Sequence, residues 1–292
     1  MNQHFNKGLV LTSLGSFWWG FIGVIYFEYV AYIGHIELVV HRCLWTAIML
    51  IFTTSFFYKW KTFLFIASNK KFLFYLFISG FLIFINWAVW IYAVATDRII
   101  DASFGYFIMP IISVLLGYIF FKENLNKKRT FSILLVLISI LILIFFNLKD
   151  LPWVGLIVAL SWAFYNLVRK KINVDTDIGL LIESLYILPF AIITFYFIAK
   201  NGLNDFSFSN PKLSLFLILA GPMTVIPLFL YVRGVELIGL GPTGMIFYIT
   251  PTLQFILGYF YYNEQFSLVK FLSFVIIWIA VIIYLKDLYE TN

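Results

Sequence analysis

Pro110-Ile-Ile-Ser-Val-Leu-Leu-Gly-Tyr-Ile-Phe-Phe-Lys-Glu123 and Pro251-Thr-Leu-Gln-Phe-Ile-Leu-Gly-Tyr-Phe-Tyr-Tyr-Asn-Glu264 follow one pattern. A constant offset of 141 residues pairs Pro110 with Pro251, Leu116-Gly117-Tyr118 with Leu257-Gly258-Tyr259, and Glu123 with Glu264. Each stretch lies in an apolar run long enough to cross a bilayer as a helix. Counting such runs outward makes the two copies the fourth and the ninth. Five is an odd number of crossings, so the second copy enters the membrane from the opposite side, with Glu123 inside and Glu264 outside. This is an inverted repeat, the arrangement that supports alternating access.

The composition agrees with a lipid environment. Of 292 residues, 63% are hydrophobic, 21% aromatic and 12% charged, about half the charge of an ordinary soluble domain. A soluble fold could not hide that much apolar surface, and disordered chains are polar. Apolar runs fall at about 8–30, 36–57, 72–95, 100–120, 130–147, 152–169, 178–198, 212–234, 241–261 and 268–286. They are too long and unbroken for membrane β-strands. The run from Gly8 exceeds the core of a cleaved signal peptide and reads as a retained span. The expected fold is an all-α membrane protein of ten transmembrane helices, as two inverted five-helix repeats over residues 1–149 and 150–292.

Lys and Arg set the orientation. With the N-terminus inside, 14 of them fall on the inner side and 5 on the outer, with Arg42 inside a span. That bias predicts both termini in the cytoplasm of a multi-pass inner-membrane protein. It also accounts for the net charge of +6 without a nucleic-acid partner.

Polar and aromatic groups inside spans mark the expected pathway. Pro110 and Pro251 sit mid-span and should interrupt their helices, freeing the carbonyls of Tyr106 and Phe247. Paired helix breaks in two inverted halves point to a midplane site. Asn86, next to Trp87 and one turn before Trp90, needs hydrogen bonds from a neighbour or a ligand. Ser113 and Gln254 are equivalent positions one turn past the prolines. Tyr106 and Tyr248, with Trp18, Trp19, Trp162, Tyr165 and Asn166 from the first helix of each half, could complete the wall. The binding set carries no full charge, so it favours a zwitterionic or cationic amine over a strongly anionic metabolite.

Charges inside spans are costly. Glu37 and His41 share a helix face, and with Glu28 and Arg42 they form a candidate outer gate. Glu183 either pairs with Arg169 or Lys170 or serves as a protonatable coupling group. Pro189, Pro222 and Pro227 read as kinks. Glu123 and Glu264, at helix ends, read as structural ties. The chain has no Walker-type loop for ATP, no zinc-ligand spacing among its three His and one Cys, and no nucleophile elbow. No enzyme, metal or cofactor is expected.

Several stretches resemble the drug/metabolite transporter superfamily, its EamA-type members and, within those, the RarD-like branch. They are Glu37-Leu-Val-Val-His41-Arg42 with Trp45, Asn86-Trp87 with Ile91-Tyr92-Ala93-Val94, and Ala102-Ser103-Phe104-Gly105-Tyr106-Phe107 with Pro110. Leu151-Pro152-Trp153, Arg169-Lys170-Lys171 with Val174-Asp175, and Gly179-Leu180-Leu181-Ile182-Glu183 with Pro189 complete the set. Met109 departs from the pattern, where the resemblance leads one to expect Asn. The resemblance implies a bacterial inner-membrane permease or exporter of small metabolites. Together the readings predict a secondary transporter of an amino acid or amine, acting as a monomer or homodimer, with protons as a candidate coupling ion. A quaternary-amine or antibiotic permease, a channel-like facilitator and a membrane-embedded enzyme are the alternatives.

Overall fold

In a bilayer each backbone N–H and C=O must be paired within the protein, and helices do this within each segment. The computed structural model describes residues 3–30, 32–95, 99–147, 153–261 and 268–291, and every regular element among them is helical. Helix α1 (Gln3–Phe17) runs through a π-turn (Trp18–Ile22) into α2 (Gly23–Val30). Then come α3 (His35–Phe56), a short α4 (Trp60–Ala67), α5 (Lys70–Ala95), α6 (Ile99–Phe121) and α7 (Lys127–Asn147). The second part holds α8 (Trp153–Ile172), α9 (Thr176–Lys200) and α10 (Pro211–Ile238). It ends with α11 (Leu240–Ile246), α12 (Ile249–Phe260) and α13 (Leu268–Thr291).

Seven helical segments among the described residues are long and apolar enough to cross a membrane, and Gly105–Phe121 is a shorter apolar one. Two further expected spans are helical but fall outside that group for visible reasons. Helix α8 ends in Arg169, Lys170 and Lys171, and the run at 241–261 is split into α11 and α12 at Phe247–Tyr248. The short α4 replaces the loop expected between the second and third runs. Its exposed Trp60, Leu64 and Phe65 suit the boundary between lipid and water.

The helices pack as α1 on α10, α5 on α8, α6 on α8, α3 on α9 and α10, α7 on α13, and α11 on α6. Large apolar side chains such as Phe52, Phe145, Phe190 and Ile282 point outward, which is natural where the solvent is hydrocarbon. Between helices the contacts depend on small residues. A Cβ at Gly80 would lie 3.3 Å from the Glu183 carbonyl, and one at Gly221 would lie 2.5 Å from the Trp45 carbonyl.

The two prolines behave differently. Pro110 lies inside one continuous helix, α6, so the expected interruption is absent there. At Pro251 the chain does break, just ahead of the proline, but the Phe247 carbonyl is not free. It accepts the Thr250 N–H at 2.9 Å in a tighter turn. The difference follows from what precedes each proline. Helix α11 holds Gly241, Pro242 and Gly244 within seven residues and has little cohesion of its own. The stretch before Pro110 has Gly105 alone.

Candidate functional site

A cavity of about 640 Å³ lies among the helices, with walls from α2, α3, α5, α6, α7, α8, α10, α12, α13 and the π-turn. Its aromatic base is built by local geometry. The π-turn, closed by the Gly23 N–H on the Trp18 carbonyl, presents Trp19 inward. Trp19 meets Trp162 edge-on, with ring centroids 5.2 Å apart, and Phe247 at 6.1 Å. Tyr106 packs on Phe247 at 5.8 Å. Beneath them Tyr231, 5.5 Å from both Trp162 and Phe247, donates its hydroxyl to the Thr243 carbonyl at 3.3 Å.

Of the residues singled out by sequence, Asn86, Trp87, Trp90, Tyr106, Trp162, Phe247, Pro251 and Gln254 line this cavity. Asn86 also ties α5 to α8: its Nδ2 donates to the Val158 carbonyl at 2.9 Å and to the Ser161 hydroxyl at 3.1 Å. Ser113, Tyr165, Asn166, Tyr248 and Pro110 are not on the wall. Ser113 is buried, its hydroxyl on the Met109 sulfur at 3.2 Å, with its Cβ facing Gly244 of α11. Tyr248 points the other way and donates to the Phe107 carbonyl at 2.7 Å. Tyr165 donates to Glu183 at 3.2 Å, and Asn166 donates to the Trp162 carbonyl at 2.8 Å. The Tyr248 and Tyr165 bonds hold helices to one another, while those of Ser113 and Asn166 stay within their own helix.

Arg42 changes the electrostatics expected of the site. One residue further along α3 rotates a side chain by about 100°, and that step separates Arg42 from His41. His41 turns toward Phe195 and Phe206, bonds Glu37 at 3.3 Å, and accepts the Trp45 indole N–H at 3.2 Å. Glu37 in turn accepts the backbone N–H of Asp205 and of Phe206, fixing the segment between α9 and α10. Arg42 instead lines the cavity. Its Nε donates to the Thr224 hydroxyl at 3.3 Å, and its guanidinium lies over Phe27 and Trp87, 5.4 and 4.9 Å from the ring centroids. A site with no full charge is therefore not what the chain builds.

Glu183 sits apart, in a buried polar network. Its Oε1 accepts from the Ser79 hydroxyl at 2.5 Å and from Arg169 Nη1 at 3.4 Å. Arg169 also reaches the Thr176 carbonyl at 3.1 Å and approaches Glu236 to 3.8 Å. Near the same end, Glu123 accepts the backbone N–H groups of Leu240 and Gly241, both at 2.8 Å, and the Lys170 ammonium at 2.7 Å. Gly239 makes that approach possible. It has φ +97°, and a side chain there would run into the Glu123 carboxylate. Glu264, the repeat partner of Glu123, lies outside the described residues.

Thr224, Phe27 and Val24 belong to the cavity wall and were not singled out by sequence. Nothing in the pattern around them marks which face of the helix they occupy.

A profile of the EamA-like transporter family matches the chain twice, over residues 6–145 and 152–286. The protein named RarD from Escherichia coli (strain K12) is 32% identical over 286 residues, covering 98% of this chain and 96% of that protein. A protein named an uncharacterized transporter from Vibrio cholerae serotype O1 is also 32% identical, over 98% of this chain and 94% of its own length. One protein of known crystal structure shares only 12% identity yet superposes with a TM-score of 0.71 over 95% of this chain and 96% of its own, a likeness of fold alone. Matched by the family profile along almost its whole length, the chain belongs to the EamA-like transporter family and is a multi-pass protein of the bacterial inner membrane.

Proposed function

We propose that the chain is a secondary transporter that moves a small polar metabolite by alternating access. In this reading ten spans form two inverted five-helix halves, residues 1–149 and 150–292, with both termini in the cytoplasm. The observation that carries it is the central cavity, walled by helices from both halves. One end of the bundle is fastened by Glu123, Lys170 and the Arg169–Glu183 network.

The packing supports the repeat. Exchanging each span for the one five later turns the α1–α10 contact into α8–α5, and α3–α10 into α9–α5. The contacts α3–α9, α7–α13 and α6–α11 map onto themselves under the same exchange. Gly80 and Gly221, spaced by the same 141 residues as the two prolines, each lie against the backbone of a helix in this set. The cavity extends toward Lys270 at the start of α13, away from the end where Asp287 of α13 pairs with Arg129 of α7. In this reading the described conformation faces outward, with the cytoplasmic end closed.

Protons are a coupling ion compatible with the buried Glu183. The substrate is a metabolite small enough for the cavity, with amino acids ahead of amines. Reconstituted protein supplied with labelled amino acids should show saturable counterflow. Flux that never saturates and shows no counterflow would favour a channel-like facilitator instead.

A further inference from the structure

The described residues include three buried arginines inside the helical bundle whose surroundings differ in one respect. Arg129, 6% exposed, has Asp287 at 2.9 Å. Arg169, fully buried, has Glu183 at 3.4 Å and Glu236 at 3.8 Å. Arg42 is 8% exposed, and no carboxylate among the described residues lies within ion-pairing distance of it. A guanidinium carries five N–H donors in a planar fork. The Thr224 hydroxyl takes Nε, and Phe27 and Trp87 hold the cation by their faces. Rings stabilise the charge but accept no in-plane hydrogen bond, so the fork keeps donors to offer. A cation in a membrane interior is costly unless paired, and this chain pairs its other two with acids.

Among the described residues, the cavity that Arg42 lines has no Asp or Glu on its wall. An ammonium group would find only uncharged amide and hydroxyl oxygens and ring faces among these residues, next to a fixed positive charge. A carboxylate would find a bidentate partner. The remaining wall, with Trp19, Trp87, Trp90 and Trp162, suits a flat apolar body.

We propose that the cavity binds a small organic anion, its carboxylate clamped by Arg42 and its apolar body held among the tryptophans. Net anions are then preferred to zwitterions, and zwitterions to cations. This deepens the transport reading and rests on the cavity being the transport site.

The test uses three probes with one ring and three charges: 3-phenylpropionate, phenylalanine and phenethylamine. Their binding to the full-length protein in phosphatidylcholine nanodiscs is measured by calorimetry. The expected result is that 3-phenylpropionate binds at least tenfold more tightly than phenethylamine. Arg42→Gln should abolish that preference by weakening the acid at least tenfold while leaving the amine nearly unchanged, and Arg42→Lys should fall between. If Arg42→Gln does not fold, the wild-type charge order alone decides, together with a weakened acid in Thr224→Val. An absent or reversed charge order, or no binding of the acid at millimolar concentration, overturns the proposal. So does competition by added phosphatidylglycerol, because the anion would then be a lipid headgroup. Counterflow separates the two readings. Arg42-dependent binding of the acid without counterflow leaves the anion site standing and removes the transport function. Amine counterflow undiminished in Arg42→Gln does the reverse.

Discussion

Replacing Glu123 by Gln should loosen the cytoplasmic end, and the contacts set the size of the effect. Glu123 Oε1 accepts from Leu240 N and Lys170 Nζ, and Oε2 accepts from Gly241 N. Glutamine keeps one acceptor, places an NH₂ against the N–H of Gly241, and removes the charge that faces Lys170. Losing an acceptor at a helix N-terminus costs about 0.5–2 kcal/mol, and a hydrogen bond to a charged group contributes about 1.5–3 kcal/mol. The ion pair, with both side chains 18% exposed, adds about 1 kcal/mol, at the upper end for accessible pairs. Allowing for overlap, Glu123→Gln should cost about 2 kcal/mol, close to a thirtyfold change in an opening equilibrium. In a Cys43→Ala background, a cysteine at Leu240, which is fully buried, reports opening by its rate of thiol labelling from the cytoplasmic side. That rate should rise about thirtyfold. A double-mutant cycle with Lys170→Met should return about 1 kcal/mol of coupling. An unchanged labelling rate, with no coupling in the cycle, would show that this carboxylate does not hold the end closed.

Three further outcomes are expected. Glu183→Gln leaves Arg169 facing only the more distant Glu236. Breaking such a buried pair should cost about 3–5 kcal/mol, seen as a lower thermal midpoint and poor expression; a stable mutant that loses only proton-driven accumulation would instead make Glu183 the coupling group. Asn86→Ala removes two hydrogen bonds from α5 to α8, but the Val158 carbonyl keeps the Ser161 hydroxyl. Ligand affinity should fall by about 1–2 kcal/mol with a smaller loss of stability, and equal affinity in calorimetry would remove Asn86 from the site. Cysteines replacing Lys122 and Glu264, again without Cys43, should label from opposite sides of the membrane; labelling from one side would contradict the inverted topology.

The helices themselves were legible because a bilayer writes them as composition. The runs at 36–57 and 178–198 are α3, His35–Phe56, and α9, Thr176–Lys200. The first run begins at Gly8, while α1 begins at Gln3, since a helix can continue past the hydrocarbon into polar residues that a hydropathy reading excludes. Much of the cavity was legible for a related reason. Asn86 and Gln254 are amides inside apolar runs, and such groups are placed where something can bond them. What the chain's pattern leaves open is direction around the helix axis. His41 and Arg42 are neighbours in sequence and face different surroundings, and no residue near them announces which will meet the cavity. Ser113 looked equivalent to Gln254 by spacing, yet α6 passes through Pro110 unbroken and keeps Ser113 against α11. The pairing of Glu183 with Arg169 was one of the readings the sequence offered, but their partners Ser79 of α5 and Glu236 of α10, so far apart in sequence, are chosen by packing.

The π-turn at Trp18–Ile22 gives the first rod two phases. Before it, the helix follows α10: a Cβ at Gly15 would sit 3.0 Å from the Pro227 carbonyl. The turn itself meets α12: a Cβ at Gly20 would sit 2.8 Å from the Thr250 carbonyl, and the Thr250 hydroxyl donates to the Ser16 carbonyl at 2.9 Å. Beyond it α2 returns to α10, where the Tyr26 hydroxyl donates to the Phe216 carbonyl at 3.0 Å. A π-turn is in effect one residue inserted into a regular helix. Deleting any single residue from 18–22 would restore uniform pitch, leave the α1–α10 contact intact, and swing everything beyond, including Tyr26 at Phe216, by roughly 100°. Phe27 would then leave the face it shares with Arg42. Whether that guanidinium has a second ring to lie on is decided by chain length alone, one residue at a place where no side chain touches the charge.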